Sequence, residues 1–172
     1  IDQKYKEGCR NVNFVGGEPT PNISFILKAL NKVKYNIPVV FNSNAYFSEK
    51  SAQLLKDIVD VYLLDFRYFD PSCAEYLSKT KNYPEIAKRN LLFAEKHGEL
   101  LIRLLVLPGH IECDTKPILD WISQNLTNYR LNVLAQYHPA FRAYEFPEIS
   151  RRLTITEYNE VIKYARQIGL EI

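Results

Sequence analysis

The sequence predicts an α/β protein built on a parallel sheet. Along its 172 residues, five short apolar or β-branched runs are each followed by a turn and then by apolar residues at helical spacing. Such alternation is typical of parallel strands joined by crossover helices. The run from Leu100 to Leu107 is apolar at almost every position, which indicates an interior sheet with both faces covered. Periodicity alone leaves a closed barrel, a partial barrel and an open sheet as alternatives.

Each predicted strand combines β-branched or aliphatic residues with a clear end. A glycine, a proline or a polar residue follows every run, where the chain must turn toward the next element. The predicted strands are Val12–Val15, Pro38–Phe41, Val61–Leu64, Leu100–Leu107 and Leu131–Ala135.

The predicted helices carry recognisable start and stop signals. Ser48 is placed to cap the second helix, and Pro84 to open the third, which Gly98 would close. Thr154 and Glu157 have the capping-box spacing at the start of the last helix. All of these elements fit one domain over residues 1–172, with no linker.

Two long connections interrupt the alternation, at Phe66–Tyr83 and Ala140–Arg152. Both are aromatic and charged, and insertions of this length are often functional loops. We expect both to shape substrate access. Arg151 is among the residues that could pair with an acidic peptide or an anionic small molecule, although simple solvation at the surface is the commoner role of such a residue.

Composition and charge exclude several classes of function. With 22 Lys and Arg against 20 Asp and Glu the net charge is +2, and no basic run predicts nucleic-acid or membrane-surface binding. The apolar runs are too short to cross a bilayer, and the polar start is unlike a signal peptide. Cys9, Cys73 and Cys113 are an odd set without a C-x-x-C pair, which predicts free thiols in a cytoplasmic protein and no metal ligands within the chain.

Polar residues gather after the first two predicted strands. Gly16 and Gly17 lack a Cβ, so a ligand can approach the backbone, and Glu18 follows them directly. An ordinary tight turn explains the glycines equally well. Ser43 and Asn44 follow the second strand, where such residues more often serve helix entry than ligand binding.

Charged groups follow or interrupt the later strands. Asp65 ends an apolar run, and Arg103 lies inside another, so both need a partner or a ligand. A salt bridge from Arg103 to Asp65 or Glu18 is the structural alternative to a binding role. His138 follows the fifth strand, where its two ring nitrogens can donate or accept a hydrogen bond near neutral pH.

Taken in order, these motifs resemble the radical S-adenosylmethionine superfamily. The likeness is greatest to the pyruvate formate-lyase activating enzyme and its relatives, and it extends over nearly the whole chain. The motifs that carry it are Gly16–Pro19, Asn42–Asn44, Asp65–Arg67, Ile102–Gly109 and Gln136–His138.

The resemblance implies a partial (β/α)6 TIM-like barrel that holds S-adenosylmethionine beside a [4Fe-4S] cluster. It places the glycine turn near the methionyl amino group, with Glu18 acting through its main chain, and the remaining residues around the cofactor. The implied cofactor-binding residues are Gly16, Gly17, Glu18, Ser43, Asn44, Asp65, Arg103 and His138.

The sequence departs from the family at the cluster. The family holds three irons with a C-x-x-x-C-x-x-C loop after the first strand, and the three cysteines here lack that spacing. Five strand-helix units stand where six are implied, and there is no methionine, even at position 1. We therefore expect that the first strand-helix unit is missing, that the chain is the C-terminal portion of the enzyme, and that the cluster ligands lie outside it.

The implied activity is reductive cleavage of S-adenosylmethionine to a 5′-deoxyadenosyl radical. The implied partners are an electron donor such as flavodoxin or ferredoxin, and a glycyl-radical-type protein or a small molecule as substrate. Two alternatives remain open. One is a cluster-free barrel that binds a nucleoside-like ligand or a protein, and the other is an unrelated hydrolase or isomerase using Asp65 and His138 for acid-base work.

Overall fold

The computed structural model describes all 172 residues and has one five-stranded sheet. The strands follow one another in sequence order, and all four neighbouring pairs are parallel. The first and fifth strands do not pair, so the sheet is not closed into a barrel, and the α/β prediction is confirmed. The strands are β1 (Val12–Phe14), β2 (Val39–Ser43), β3 (Val61–Asp65), β4 (Glu99–Leu105) and β5 (Arg130–Leu134).

Seven α-helices accompany the sheet, and short π- and 3-10 turns occupy the remaining connections. No helix combines the length and the apolar character that crossing a membrane requires. The helices are α1 (Asp2–Lys6), α2 (Ile23–Leu30), α3 (Glu49–Leu55), α4 (Pro71–Ser78), α5 (Tyr83–His97), α6 (Lys116–Asn125) and α7 (Ile155–Gln167).

Most helix signals act as the sequence predicts. Ser48 accepts a hydrogen bond from the amide of Ser51 at the start of α3 (3.1 Å). Gly98 ends α5, although its φ of −177° is extended rather than left-handed. A Cβ at Gly98 would lie 2.9 Å from the carbonyl oxygen of Asp60, so close packing rather than a special backbone angle requires glycine there.

The stretch Phe66–Tyr83 is not a plain loop, because α4 lies within it. Asp70 caps this helix by accepting from the amide of Ser72 (2.6 Å), and Pro71 occupies its first position. The helix buries only Ala74 fully, so its apolar face is too narrow to stand out in the sequence.

The two faces of the sheet differ in burial. Side chains alternate along each strand, and those of one face, such as Phe41, Tyr62 and Ile102, are fully buried in the main core. Those of the other face are half-buried, and we call this the open face. The expectation of an interior sheet was wrong for the open face, since the unclosed sheet leaves it accessible. Its central members are Asn42, Leu63, Asp65, Leu101 and Arg103.

The start of α7 is a capping box joined to an ion pair. Thr154 accepts from the amide of Glu157 (3.2 Å), and Glu157 accepts from the amide of Thr154 (2.9 Å). Arg151 donates to both oxygens of Glu157 (2.8 and 2.7 Å) and lowers the pKa of that carboxyl to about 2, with help from Thr154. Arg151 is therefore engaged within the chain rather than displayed to an anion.

We expect Glu157→Gln to lower the free energy of unfolding by about 1 kcal/mol at neutral pH, because it breaks the cap and the ion pair. The folded-state pKa lies below the ordinary value of 4.5, so this stability is present above about pH 4.5 and is lost as the pH falls toward about 2. Urea unfolding of wild type and Glu157→Gln at pH values from neutral down toward 2 measures this difference in stability. The matched control is Glu171→Gln, at an exposed carboxyl near the chain end. Equal losses in both variants would contradict the assignment.

Candidate functional site

The turn after β1 is open on its backbone side. Gly16 and Gly17 have φ values of +102° and +56°, in the region that favours glycine. A Cβ built on either residue would meet no other atom within 4 Å. The turn therefore exposes main-chain atoms to which a small molecule has free access.

The side chain of Glu18 fastens the turn to the end of β2. Its carboxylate accepts from the hydroxyl of Ser43 (2.8 Å) and from the amide of Asn44 (2.9 Å). It also accepts from the amide of Thr20 (3.2 Å). Three predicted site residues thus lie together, and only the main chain of Glu18 remains available to a ligand.

The side chain of Asn44 has a local role. Its Oδ1 accepts from the amide of Tyr46 (2.8 Å), which closes the turn that leads into α3. The Asn44 side chain thus serves entry into the helix, the commoner role of such a residue after a strand.

Asp65 and Arg103 pair across β3 and β4, where they are partners in register. Arg103 Nε donates to Asp65 Oδ1 (2.7 Å), and Arg103 Nη2 donates to Asn42 Oδ1 on β2 (2.7 Å). The second oxygen of Asp65 accepts from Arg67 (2.8 Å). Arg103 therefore forms its salt bridge with Asp65 and not with Glu18.

A cavity of about 500 Å³ opens at the carboxyl edge of the sheet beside this pair. It brings together three of the residues expected to converge, Asp65, Arg103 and His138, while Glu18 lies at a neighbouring strand end and does not line it. The walls carry two guanidinium groups, one carboxylate, an imidazole, an amide and a phenol. The polar lining residues are Asp65, Arg67, Arg103, Gln136, Tyr137 and His138.

Sequence reasoning missed Tyr83, which joins the two parts of the site. Its buried hydroxyl lies 2.9 Å from the carbonyl oxygen of Asp65 and 3.1 Å from that of Asn44, and it accepts from the amide of Arg67 (3.1 Å). Burial raises the pKa of this phenol, so it stays protonated and keeps its donor. Nothing in the sequence marks it, because its role depends on how α5 packs against two strand ends.

The arrangement favours binding over acid-base catalysis. Both oxygens of Asp65 are occupied by guanidinium groups, so this carboxylate is not a free general base. This weakens the hydrolase or isomerase alternative. The exposed backbone of the glycine turn and the cationic cavity wall instead match a small molecule that carries both an amine and a carboxylate.

We expect Arg103→Met to lower the free energy of unfolding by about 1.5–3 kcal/mol, because it strips a mostly buried carboxylate, 15% exposed, of a charged hydrogen bond. The matched control is Arg67→Met, which removes the other guanidinium at the same carboxylate. Since the Arg67 side chain is 53% exposed, its loss should cost less than about 1 kcal/mol. Urea unfolding of both variants checks the difference, and equal costs would contradict the ranking.

Comparison with solved structures supports the fold. A domain of pyruvate-formate lyase-activating enzyme from Bacteroides vulgatus superposes with a TM-score of 0.71, over 95% of this chain and 97% of that one. Sequence identity is 16%, so the likeness shows the fold alone. It confirms the predicted partial TIM-like barrel.

Sequence comparison identifies the family. A Methanocaldococcus jannaschii protein, Uncharacterized protein MJ0674, is 48% identical over 167 residues, which are 97% of this chain and 49% of that protein. The chain thus spans about half the length of this relative. The family model described as Radical SAM superfamily matches residues 1–122, well over half of the chain. The protein therefore belongs to the Radical SAM superfamily.

Proposed function

We propose that this chain is the S-adenosylmethionine-binding part of a radical enzyme that resembles the pyruvate formate-lyase activating enzyme. The observation that carries the proposal is the cavity at the carboxyl edge, in which Asp65, Arg103 and His138 meet, in a chain of this superfamily. In an α/β sheet of this kind, ligands bind where the strands end. With a reduced [4Fe-4S] cluster donating one electron, the bound cofactor would be cleaved to methionine and a 5′-deoxyadenosyl radical, the species that would abstract hydrogen.

The residues present fit the two ends of the cofactor. The open main chain of Gly16 and Gly17 offers carbonyl acceptors to the methionyl amino group. Glu18 does not compete for that group, because Ser43, Asn44 and Thr20 already occupy its carboxylate. In this proposal the side chain of Glu18 holds the turn in shape while its backbone takes part in binding.

The cavity wall suits the carboxylate and the nucleoside. Arg103 and Arg67 hold positive charge beside the cavity and attract the methionyl carboxylate, while Asp65 fixes the orientation of both guanidinium groups. His138 and Gln136 are exposed and can bond to the ribose hydroxyls or the adenine edge. These chain residues bind and orient the ligand, and none is assigned a proton-transfer step.

The cysteines of this chain do not fit a radical SAM cluster. The sulfur atoms of Cys73 and Cys113 lie 3.3 Å apart. Cys9 is exposed near the start of the chain and does not lie with these two cysteines. Because three converging thiolates are needed, the proposal places the cluster ligands in another segment of the full-length protein. The proposed partners are an electron donor such as flavodoxin or ferredoxin, and a glycyl-radical-type protein or a small molecule as substrate.

Because the cysteines of this chain do not form a cluster-binding triad, a second candidate is a cluster-free barrel that binds a nucleoside-like ligand or a protein. The same cavity would serve that role without reductive chemistry. The two candidates differ in one observable property: only the first requires three cysteines elsewhere in the gene product.

We expect His138→Ala to weaken S-adenosylmethionine binding about 5- to 10-fold, as for the loss of one hydrogen bond to the ligand. Isothermal titration calorimetry gives the dissociation constants. The control is His97→Ala, a histidine in the last turn of α5, next to the start of β4 and therefore at the opposite edge of the sheet. Equal affinities for wild type and His138→Ala would remove His138 from the site.

We expect this chain, reconstituted anaerobically with iron and sulfide, to develop no [4Fe-4S] absorption. A longer gene product that supplies a C-x-x-x-C-x-x-C loop should be brown and, when reduced with S-adenosylmethionine, should release 5′-deoxyadenosine. Chromatography of the products measures this release, and Asp65→Ala should reduce it by disordering both guanidinium groups. If the complete reading frame lacks these three cysteines, the radical-enzyme proposal is wrong and the binding-domain candidate is favoured.

A further inference from the structure

Four side chains with metal-binding atoms meet in a group that does not line the cavity beside Asp65 and Arg103: Cys73, His110, Cys113 and Asp114. Cys73 lies on α4, and the other three lie in or beside a π-helical turn at Ile111–Thr115, just before α6. π-helical turns are rare and often mark functional sites. The ligand atoms of the four side chains all lie within 4.8 Å of one another. Linear spacing does not reveal this group, because Cys73 is 40 residues from Cys113.

Four of the six distances between the ligand atoms fall in the range of the edges of a zinc tetrahedron, and the two from Cys73 Sγ to His110 and Asp114 are no longer than 4.8 Å. The sulfurs of Cys73 and Cys113 are 3.3 Å apart, and Cys113 Sγ lies 3.4 Å from His110 Nδ1 and 3.8 Å from Asp114 Oδ2. His110 Nδ1 lies 3.4 Å from Asp114 Oδ2. With ligands at about 2.0–2.3 Å from zinc, the edges of a tetrahedron are about 3.3–3.8 Å long. We propose that these four residues form a structural zinc site.

An independent observation comes from the far side of the His110 ring. Its side chain is only 8% exposed, and its buried Nε2 has no hydrogen-bond partner. The nearest carboxylate oxygen is Oε1 of Glu148, at 3.8 Å. Histidines that bind metal through one nitrogen usually donate the other N–H to a carboxylate. With Nδ1 on zinc, Nε2 carries the proton and Glu148 is the acceptor toward which it points.

Glu148 packs directly against the backbone next to His110. Gly109 has a φ of +76°, and a Cβ there would lie 2.9 Å from Cβ of Glu148. Any other residue would both strain the turn and push Glu148 away from the histidine. The positioning carboxylate is thus part of the packing and not a chance neighbour.

Charge balance favours a dication. Two cysteines and an aspartate converge here beside one histidine, so the group can offer up to three negative charges to a cation. When zinc binds, two thiol protons leave to solvent and two thiolates take their place, while neutral His110 and anionic Asp114 complete the shell. All four positions are filled by the protein, so no open position remains for a substrate.

The proposed site joins three connections at the carboxyl edge. Besides facing the zinc position, Asp114 accepts from the amides of Phe69 (2.6 Å) and Asp70 (2.9 Å) at the entry to α4. Through Glu148 the site also reaches the connection after β5. Zinc would therefore fix the segments around the cofactor cavity, and this role does not depend on which ligand the cavity binds.

The test uses cobalt as a spectroscopic substitute for zinc. Protein purified anaerobically, with reduced thiols, should bind one Co²⁺ per chain with thiolate charge-transfer bands and the ligand-field bands of a tetrahedral site, and Zn²⁺ should displace it. Cys73→Ser and Cys113→Ser should each lower the charge-transfer intensity by about half, since one thiolate remains. The matched control is Cys9→Ser, which changes the third cysteine, exposed and outside the group.

Two further measurements test the zinc site even if a cysteine variant folds poorly. Glu148→Gln, which leaves all four ligands in place, should weaken zinc affinity about 10- to 100-fold in competition with a chelator. Zinc should raise the melting temperature of wild type and Cys9→Ser but not of Cys73→Ser. A reduced wild-type protein that shows no tetrahedral cobalt spectrum would overturn the proposal. So would a protein whose Cys73 and Cys113 are joined in a disulfide in the anaerobic preparation.

Discussion

The ion pair between Asp65 and Arg103 sets the character of the open face. Parallel pairing of β3 and β4 puts the two residues in register, so the strand alignment itself delivers the carboxylate that a guanidinium within a sheet requires. Because Arg103 also donates to Asn42, side chains of three neighbouring strands are joined. The opposite face carries no charge at the neighbouring level of the sheet, where Ser43, Leu64 and Ile102 are in register and buried. One face thus stabilises the fold, while the other displays charge.

The carboxyl edge is organised as two hydrogen-bonded parts. Glu18 fastens the glycine turn to the end of β2, and Asp65 orients the guanidinium groups at the cavity. Tyr83 connects the two parts through backbone carbonyls at the ends of β2 and β3. Charged side chains whose bonds are already filled by protein partners lose little freedom when a ligand arrives, so such a site is pre-organised.

The helix α4, between β3 and α5, has a structural role that its narrow apolar face does not indicate. It carries Cys73 to Cys113, and Asp114 holds the amides just before it. The connection Phe66–Tyr83 is therefore held by polar and sulfur contacts in addition to the side chains that it buries in the main core, such as Phe66, Tyr68 and Ala74. Such segments are ordinarily the least stable parts of a domain, and cross-links of this kind restrict their local opening.

The sequence by itself determined the elements and their order. Apolar periodicity located both ends of all five strands within two residues. Local signals such as Ser48 and the Thr154–Glu157 pair placed helix starts, since capping depends on residues only three apart. It also indicated that Asp65, Arg103 and His138 belong at one edge, because parallel strands all end there.

Only the tertiary structure decided which partners these residues take. The choice of Asp65 over Glu18 for Arg103 depends on register, which a one-residue shift would change. The roles of Tyr83 and Asn42, the exposure of one sheet face and the meeting of Cys73 with Cys113 all depend on contacts between residues far apart in the chain. Local sequence carries no record of such contacts, since they arise from how strands and helices pack together.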